Sequence, residues 1–200
     1  MGYGMNLSVA KILLLLGGVL FVSSCGKMGP PVAPEMLAPE QVQALKVSGS
    51  QEGVTFSWES PKADQRGQAL KTIDGYRIYR KHIQRSSDVT DESIAFDVVT
   101  EVKDTHLIEL EKERENFRAL GRPAHRAKVD KAFTLFNYTD RAVNAGNTYL
   151  YKVVPTNHGG VESSSFQLVK VLWRGDSSEI KNIDSSKLSV DAEFLGADLE

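Results

Sequence analysis

The chain has one cysteine, Cys25, so no internal disulfide framework can form. It lacks an apolar run long enough to cross a bilayer. The run Ile12–Val22 is eleven residues long, against the roughly 20 that a spanning helix needs. Neither sign of charge is in excess: 24 Lys and Arg oppose 26 Asp and Glu, a net charge of −2. That balance gives no global attraction to nucleic acid. The four histidines, His82, His106, His125 and His158, show no metal-ligand spacing on one element, so no metal or cofactor is expected. No nucleophile elbow, phosphate loop or paired-carboxylate motif occurs. The chain is therefore not expected to be an enzyme, and no small-molecule substrate is evident. What is present, 200 residues of which 41% are hydrophobic and 25% charged, is the composition of one globular domain.

Lys11 followed by Ile12–Val22 has the layout of a secretory signal, which is removed and lies outside the fold. Met1 and Met5 each offer a start, and the second gives the more compact leader. The run ends Val22-Ser23-Ser24-Cys25-Gly26: an aliphatic residue, two small ones, then a thiol. This resembles the lipobox of bacterial lipoproteins. The resemblance implies a signal peptide over 1–24, cleavage before Cys25, a diacylglycerol thioether on its sulfur and an acyl chain such as palmitate on the freed amino group. Two or more chains anchor stably where one is marginal. Gly26 stands where an aspartate would retain a lipoprotein at the inner membrane, which implies the outer membrane of a Gram-negative envelope. Residues 25–40 are expected to be the lipidated cysteine and a Pro-rich tether. Pro30, Pro31, Pro34 and Pro39 favour polyproline II, and ~3.1 Å per residue sets a domain roughly 40 Å from the membrane. The start Cys25-Gly26-Lys27-Met28-Gly29-Pro30 is also similar, over six positions, to small lipoproteins linked to maturation of the lipopolysaccharide translocon.

From Gln41 to Arg174, short alternating segments dominate. Strands are expected near 41–47, 54–58, 76–80, 136–138, 149–153 and 166–173, with Gly and Asn clusters between them. Val54, Phe56, Trp58, Ile78, Tyr149, Tyr151 and Val153 are the expected core of an all-β sandwich. Val54-x-Phe56-x-Trp58-x-x-Pro61 and Gly75-Tyr76-x-Ile78-Tyr79-Arg80 resemble two strands of a fibronectin type III domain, an immunoglobulin-like fold. So does the longer stretch Tyr138-Thr139-Asp140-x-x-Val143-x-x-Gly146-x-x-Tyr149-x-Tyr151-x-Val153. The resemblance implies structural core roles for Trp58, Tyr76, Tyr149 and Tyr151. It places Tyr149 at the tyrosine corner, where a phenol bonds nearby backbone.

One departure from that pattern is large. Residues 104–132 form an insertion, with Leu107, Leu110, Phe117 and Leu120 on one side of a helical wheel. A helix over about 105–120 is expected to bury Leu110 and Phe117 against the sheet. Gly121-Arg122-Pro123 stops it, and a second short helix is expected over 124–131. Arg118, Arg122, Arg126 and Lys128 are candidate contacts for an anionic partner. The tail 175–200 is acidic and is expected to be disordered. Arg174-Gly175-Asp176 matches the integrin-recognition tripeptide of some fibronectin modules, but it is expected to follow the last strand and so to be a chance match. The sequon at Asn137 falls in an expected strand and is discounted.

Together these features describe a non-catalytic, lipid-anchored cell-envelope protein presenting an interaction module. Its expected partners are the membrane, through acylated Cys25, and an envelope protein; nucleic acid is not expected. Two alternatives stay open: an assembly accessory of the outer-membrane or lipopolysaccharide machinery, and an accessory module of an extracellular hydrolase system.

Overall fold

In the computed structural model, residues 31–84, 88 and 95–183 are described. The expectations for the signal, Cys25, Gly26 and residues 184–200 lie outside them. Eight antiparallel strands follow in order: β1 Gln43–Ser50, β2 Gly53–Glu59, β3 Gly75–Ile83, β4 Asp97–Lys103, β5 Leu135–Asp140, β6 Thr148–Thr156, β7 Leu168–Trp173 and β8 Ser178–Ile183. One sheet has the order β1-β2-β5 and the other β4-β3-β6-β7-β8. The first seven strands thus have the three-plus-four order of the family that the sequence resembles. The domain is a fibronectin type III-like β-sandwich.

The period-2 patterning builds it. Val54, Phe56 and Trp58 of β2 face Tyr76 and Ile78 of β3, Tyr149, Tyr151 and Val153 of β6, and Val169 and Val171 of β7 in one core cluster. Phe56 meets Tyr151 with ring centroids 4.8 Å apart, and Trp58 meets Tyr76 edge-on at 5.4 Å. At Gly53, where φ is +129°, a Cβ would lie 2.1 Å from the Asp140 carbonyl oxygen, so only glycine lets β2 run this close to β5. The Tyr149 hydroxyl accepts from the Asn144 backbone N–H at 2.9 Å and closes the turn before β6.

The five-stranded sheet is covered on its outer face as well. Ile83, Leu150 and Leu168 form a second cluster with Phe96, Phe166 and Ile183. There the Lys152 ammonium lies 4.6–4.8 Å from the ring centroids of Phe166, Phe96 and Tyr79. Burial pushes the Lys152 pKa down. This second layer explains why β6 is buried on both faces.

Several expectations are corrected. The tether does not run to residue 40 as a free spacer. Pro34–Leu37 form a 3-10 turn, Ala38 and Val42 are buried, and Pro39 bridges to Asp64. Proline suits the first positions of such a turn as well as it suits polyproline II. The domain also continues past Arg174, because β8 pairs with β7 from Trp173↔Ser178 to Leu168↔Ile183. The Arg-Gly-Asp tripeptide therefore lies in the turn between the last two strands rather than after them. Gly175 adopts φ +98° there, and Arg174 reaches Glu179 at 3.4 Å. Strand β4 was not foreseen.

The core assigns costs that can be measured. Trp58→Ala should lower stability by about 3–5 kcal/mol. The Trp58 indole N–H is buried without a partner, so Trp58→Phe should lose less than its volume alone suggests. Tyr149→Phe should cost about 1–3 kcal/mol by orphaning the Asn144 N–H. Chemical denaturation of the three variants checks the order; equal midpoints would contradict these placements.

Candidate functional site

The insertion leaves the sandwich after β4 and returns at β5. Its helix, α1, covers His106–Ala119, followed by 3-10 turns at Ala124–Arg126 and Lys131–Thr134. The expected second helix over 124–131 is therefore two short turns. Nor is the apolar stripe buried against the sheet. Leu107 packs on the main core, but α1 lies chiefly against the two 3-10 turns. Leu110 and Phe117 are half-buried, Leu120 is 66% exposed and Ile108 60% exposed. The reason is geometric: the chain turns at Gly121, with φ +65°, and its own returning segment covers the helix.

What fixes the insertion is a polar cluster at its root. Asp104, Ser60, His106 and Tyr76 are all buried. Ser60 Oγ donates to Asp104 Oδ2 at 3.0 Å, and the Tyr76 hydroxyl donates to the same oxygen. The His106 backbone N–H donates to Asp104 Oδ1 at 2.9 Å, and its Nδ1 lies 2.7 Å from that oxygen. The Asp104 carboxylate thus takes the role of a helix cap, which Thr105 does not provide. The Ser60 N–H donates to the Thr134 carbonyl at 2.9 Å, so the same corner holds the returning end of the insertion. Burial works to raise the Asp104 pKa, and the hydrogen bonds from His106 and Tyr76 outweigh it, so its carboxyl sits below the usual range. Burial, then the charge of Asp104, pushes the Tyr76 phenol far up.

Serine, histidine and aspartate in contact invite comparison with a nucleophile relay. Such a relay places serine and carboxylate on opposite ring nitrogens. Here Ser60 Oγ, at 3.0 Å, and Asp104 Oδ1 both meet Nδ1. The imidazole cannot pass a Ser60 proton toward Asp104 across its ring, and the cluster acts as a clamp. Among the described residues, no group of three or more His, Cys, Asp or Glu is placed to hold a metal ion.

The four candidate basic residues lie beyond the clamp, all exposed. Arg118 Nη1 lies 3.0 Å from Glu111 Oε1, and Arg114 reaches the other oxygen at 3.2 Å. Hydrogen bonds from Arg118 and then Arg114 hold the Glu111 carboxyl low. The Arg122 guanidinium lies 5.9 Å from the Phe117 ring centroid. Arg126 ends the first 3-10 turn. Lys128 is set apart: it lines a groove of about 320 Å³ with Glu109, Glu113 and Asp130, alongside Val129 and Phe133. Arg118, Arg122 and Arg126 thus flank the turn at Gly121 along the chain, and Lys128 has acidic surroundings. Sequence reading missed the clamp altogether; its one local signal was Asp104-x-His106 ahead of a helix.

No protein-family model and no curated protein sequence matches the chain. Among solved structures, it is similar to the twitchin kinase region from C. elegans, with a TM-score of 0.39 and 14% identity over 70% of this chain and 17% of that one. The chain thus spans under a fifth of that protein's length. It is also similar to the third fibronectin III domain of the human KIAA0343 protein, with a TM-score of 0.34 and 13% identity, covering 80% of this chain and 92% of that one.

The clamp predicts an acid-sensitive fold. Because the Asp104 pKa is depressed on folding, its contribution is fully present above the ordinary aspartate value of 3.8 and is lost as pH falls through the lower folded value. Asp104→Asn should cost about 3–5 kcal/mol at neutral pH and flatten the acid limb of the stability curve. Denaturation midpoints measured from neutral pH down to acid check this; a variant that keeps the wild-type acid slope contradicts it.

Proposed function

We propose that the chain is a non-catalytic, lipid-anchored cell-envelope protein whose fibronectin type III-like domain serves as an interaction module. The observation that carries the reading is the insertion: its root is clamped by buried hydrogen bonds, while its far end presents Leu120 and three arginines to solvent. Surface that merely solvates a helix does not need a buried carboxylate to hold it in place. Long insertions on a common scaffold are where binding function is gained. Val22-Ser23-Ser24-Cys25 supports anchoring through an acylated Cys25, and Gly26 supports the outer membrane as destination. Docking of residues 34–40 shortens the leash: an extended stretch from Cys25 to Ala33 spans at most about 30 Å, so the module works close to its membrane.

Labelled palmitate, membrane fractionation and a photo-crosslinking residue at position 133, where the insertion exposes Phe133, test this in cells. Wild type should take up label and sediment with outer membrane. Cys25→Ala should remain an unlabelled precursor, and Gly26→Asp should shift the protein to the inner membrane. The crosslinker should give a discrete adduct only when Cys25 is present. A Cys25→Ala protein processed and labelled like wild type removes the anchor, and an adduct pattern indifferent to Cys25 removes the module's envelope role.

A further inference from the structure

We propose that the apex of the insertion is a second membrane contact, in which Leu120 enters the interfacial layer of a bilayer and Arg118, Arg122 and Arg126 hold its anionic headgroups. This deepens the reading of the chain as membrane-anchored and rests on it. Residues 116–129, Asn-Phe-Arg-Ala-Leu-Gly-Arg-Pro-Ala-His-Arg-Ala-Lys-Val, contain no acid. The partial negative charge at the C-terminal end of α1, about half an elementary charge, leaves the apex net cationic. The Glu111 pair restrains Arg118 only weakly, since exposed ion pairs contribute little. Leu120 is the most exposed large hydrophobic side chain among the described residues. An exposed leucine two residues from Arg118 and from Arg122, with exposed Arg126 in the turn that follows, matches the interface of an anionic bilayer, where such residues bury the apolar part and pair the cations.

Position in the fold points the same way. Asn157 Nδ2 donates to the Leu37 carbonyl at 3.3 Å. The Asp74 N–H donates to the Thr156 carbonyl at 2.8 Å, and the Asp104 N–H to the Asp74 carbonyl at 2.9 Å. The chain entering from the anchor side and the root of the insertion therefore share one end of the sandwich. That end also exposes Met36 and Leu37, at 44% and 39%. Helix α1, with 14 residues, is about 21 Å long, a length comparable to that of the leash.

The test uses residues 33–200, which hold both sheets and the insertion, without any acyl chain. Co-sedimentation is measured with phosphatidylcholine vesicles, with and without one quarter phosphatidylglycerol. Partition should be strong only on the anionic vesicles and should weaken with salt. Replacing Arg118, Arg122 and Arg126 by Gln should reduce it about fivefold per residue, with the melting temperature unchanged. Leu120→Ser should reduce it further. Equal partition onto neutral and anionic vesicles overturns the proposal, as does wild-type binding by the triple Gln variant. Binding indifferent to Leu120→Ser overturns the insertion of the tip. Because this fragment lacks Cys25, none of these failures touches the palmitate result, and a loss of anchoring in cells leaves the vesicle result standing.

Discussion

A carboxylate taken out of water costs several kcal/mol unless other groups replace its hydration, and the Asp104 carboxylate is almost wholly out of water. Its two oxygens therefore dictate their surroundings. One gathers the hydroxyls of Ser60, at the end of β2, and Tyr76, at the start of β3. The other gathers the backbone and ring of His106, where the insertion begins. Strands from both sheets and the first turn of α1 are thus tied to a single side chain. The insertion emerges from a rigid corner even though little of its helix is deeply buried.

The two sides of the sandwich are treated differently. On one side β1 and β8 approach each other, and the Trp173 indole donates to the Ser50 carbonyl at 3.1 Å. On the other side β4 and β5 are the edge strands among the described residues, and the insertion is the segment that joins them. Strand β4 carries Asp97, Glu101 and Lys103 along its edge, charges that discourage a second chain from pairing there. Glu101 also reaches across to Arg77 at 2.6 Å, and Arg77 continues to Glu162 at 2.8 Å. These pairs lie along the outer surface of the larger sheet, beside the cluster that encloses Lys152.

Much of the sandwich could be read from the chain because alternation is a local signal. Val54-x-Phe56-x-Trp58 and Tyr149-x-Tyr151-x-Val153 declare their inward faces without help from distant residues. Strand β4 was hidden because Val98 and Val99 are adjacent, which breaks the alternation. Strand β8 was hidden because Ser178-Glu179-Ile180-Lys181-Asn182-Ile183 is polar, and its pairing partner β7 supplies the order. The helix in the insertion was visible, but what covers it was not: burial of Leu110 and Phe117 depends on where the chain goes after Gly121. The clamp was the least legible part. Ser60, Tyr76 and Asp104 are far apart in sequence, and nothing local marks a serine or a tyrosine as the partner of a distant carboxylate.

Residues 34–40 have a mechanical meaning. Gln65 Nε2 donates to the Pro39 carbonyl at 2.8 Å, the Gln65 N–H to the Ala38 carbonyl at 2.9 Å, and the Glu40 N–H to the Ala63 carbonyl at 2.9 Å. Tension entering from the N-terminal side meets these bonds before it meets β1. These three bonds close on the loop at 63–65 and not on either sheet, so the first contacts along the entering chain can be lost without breaking a ladder bond of the sandwich.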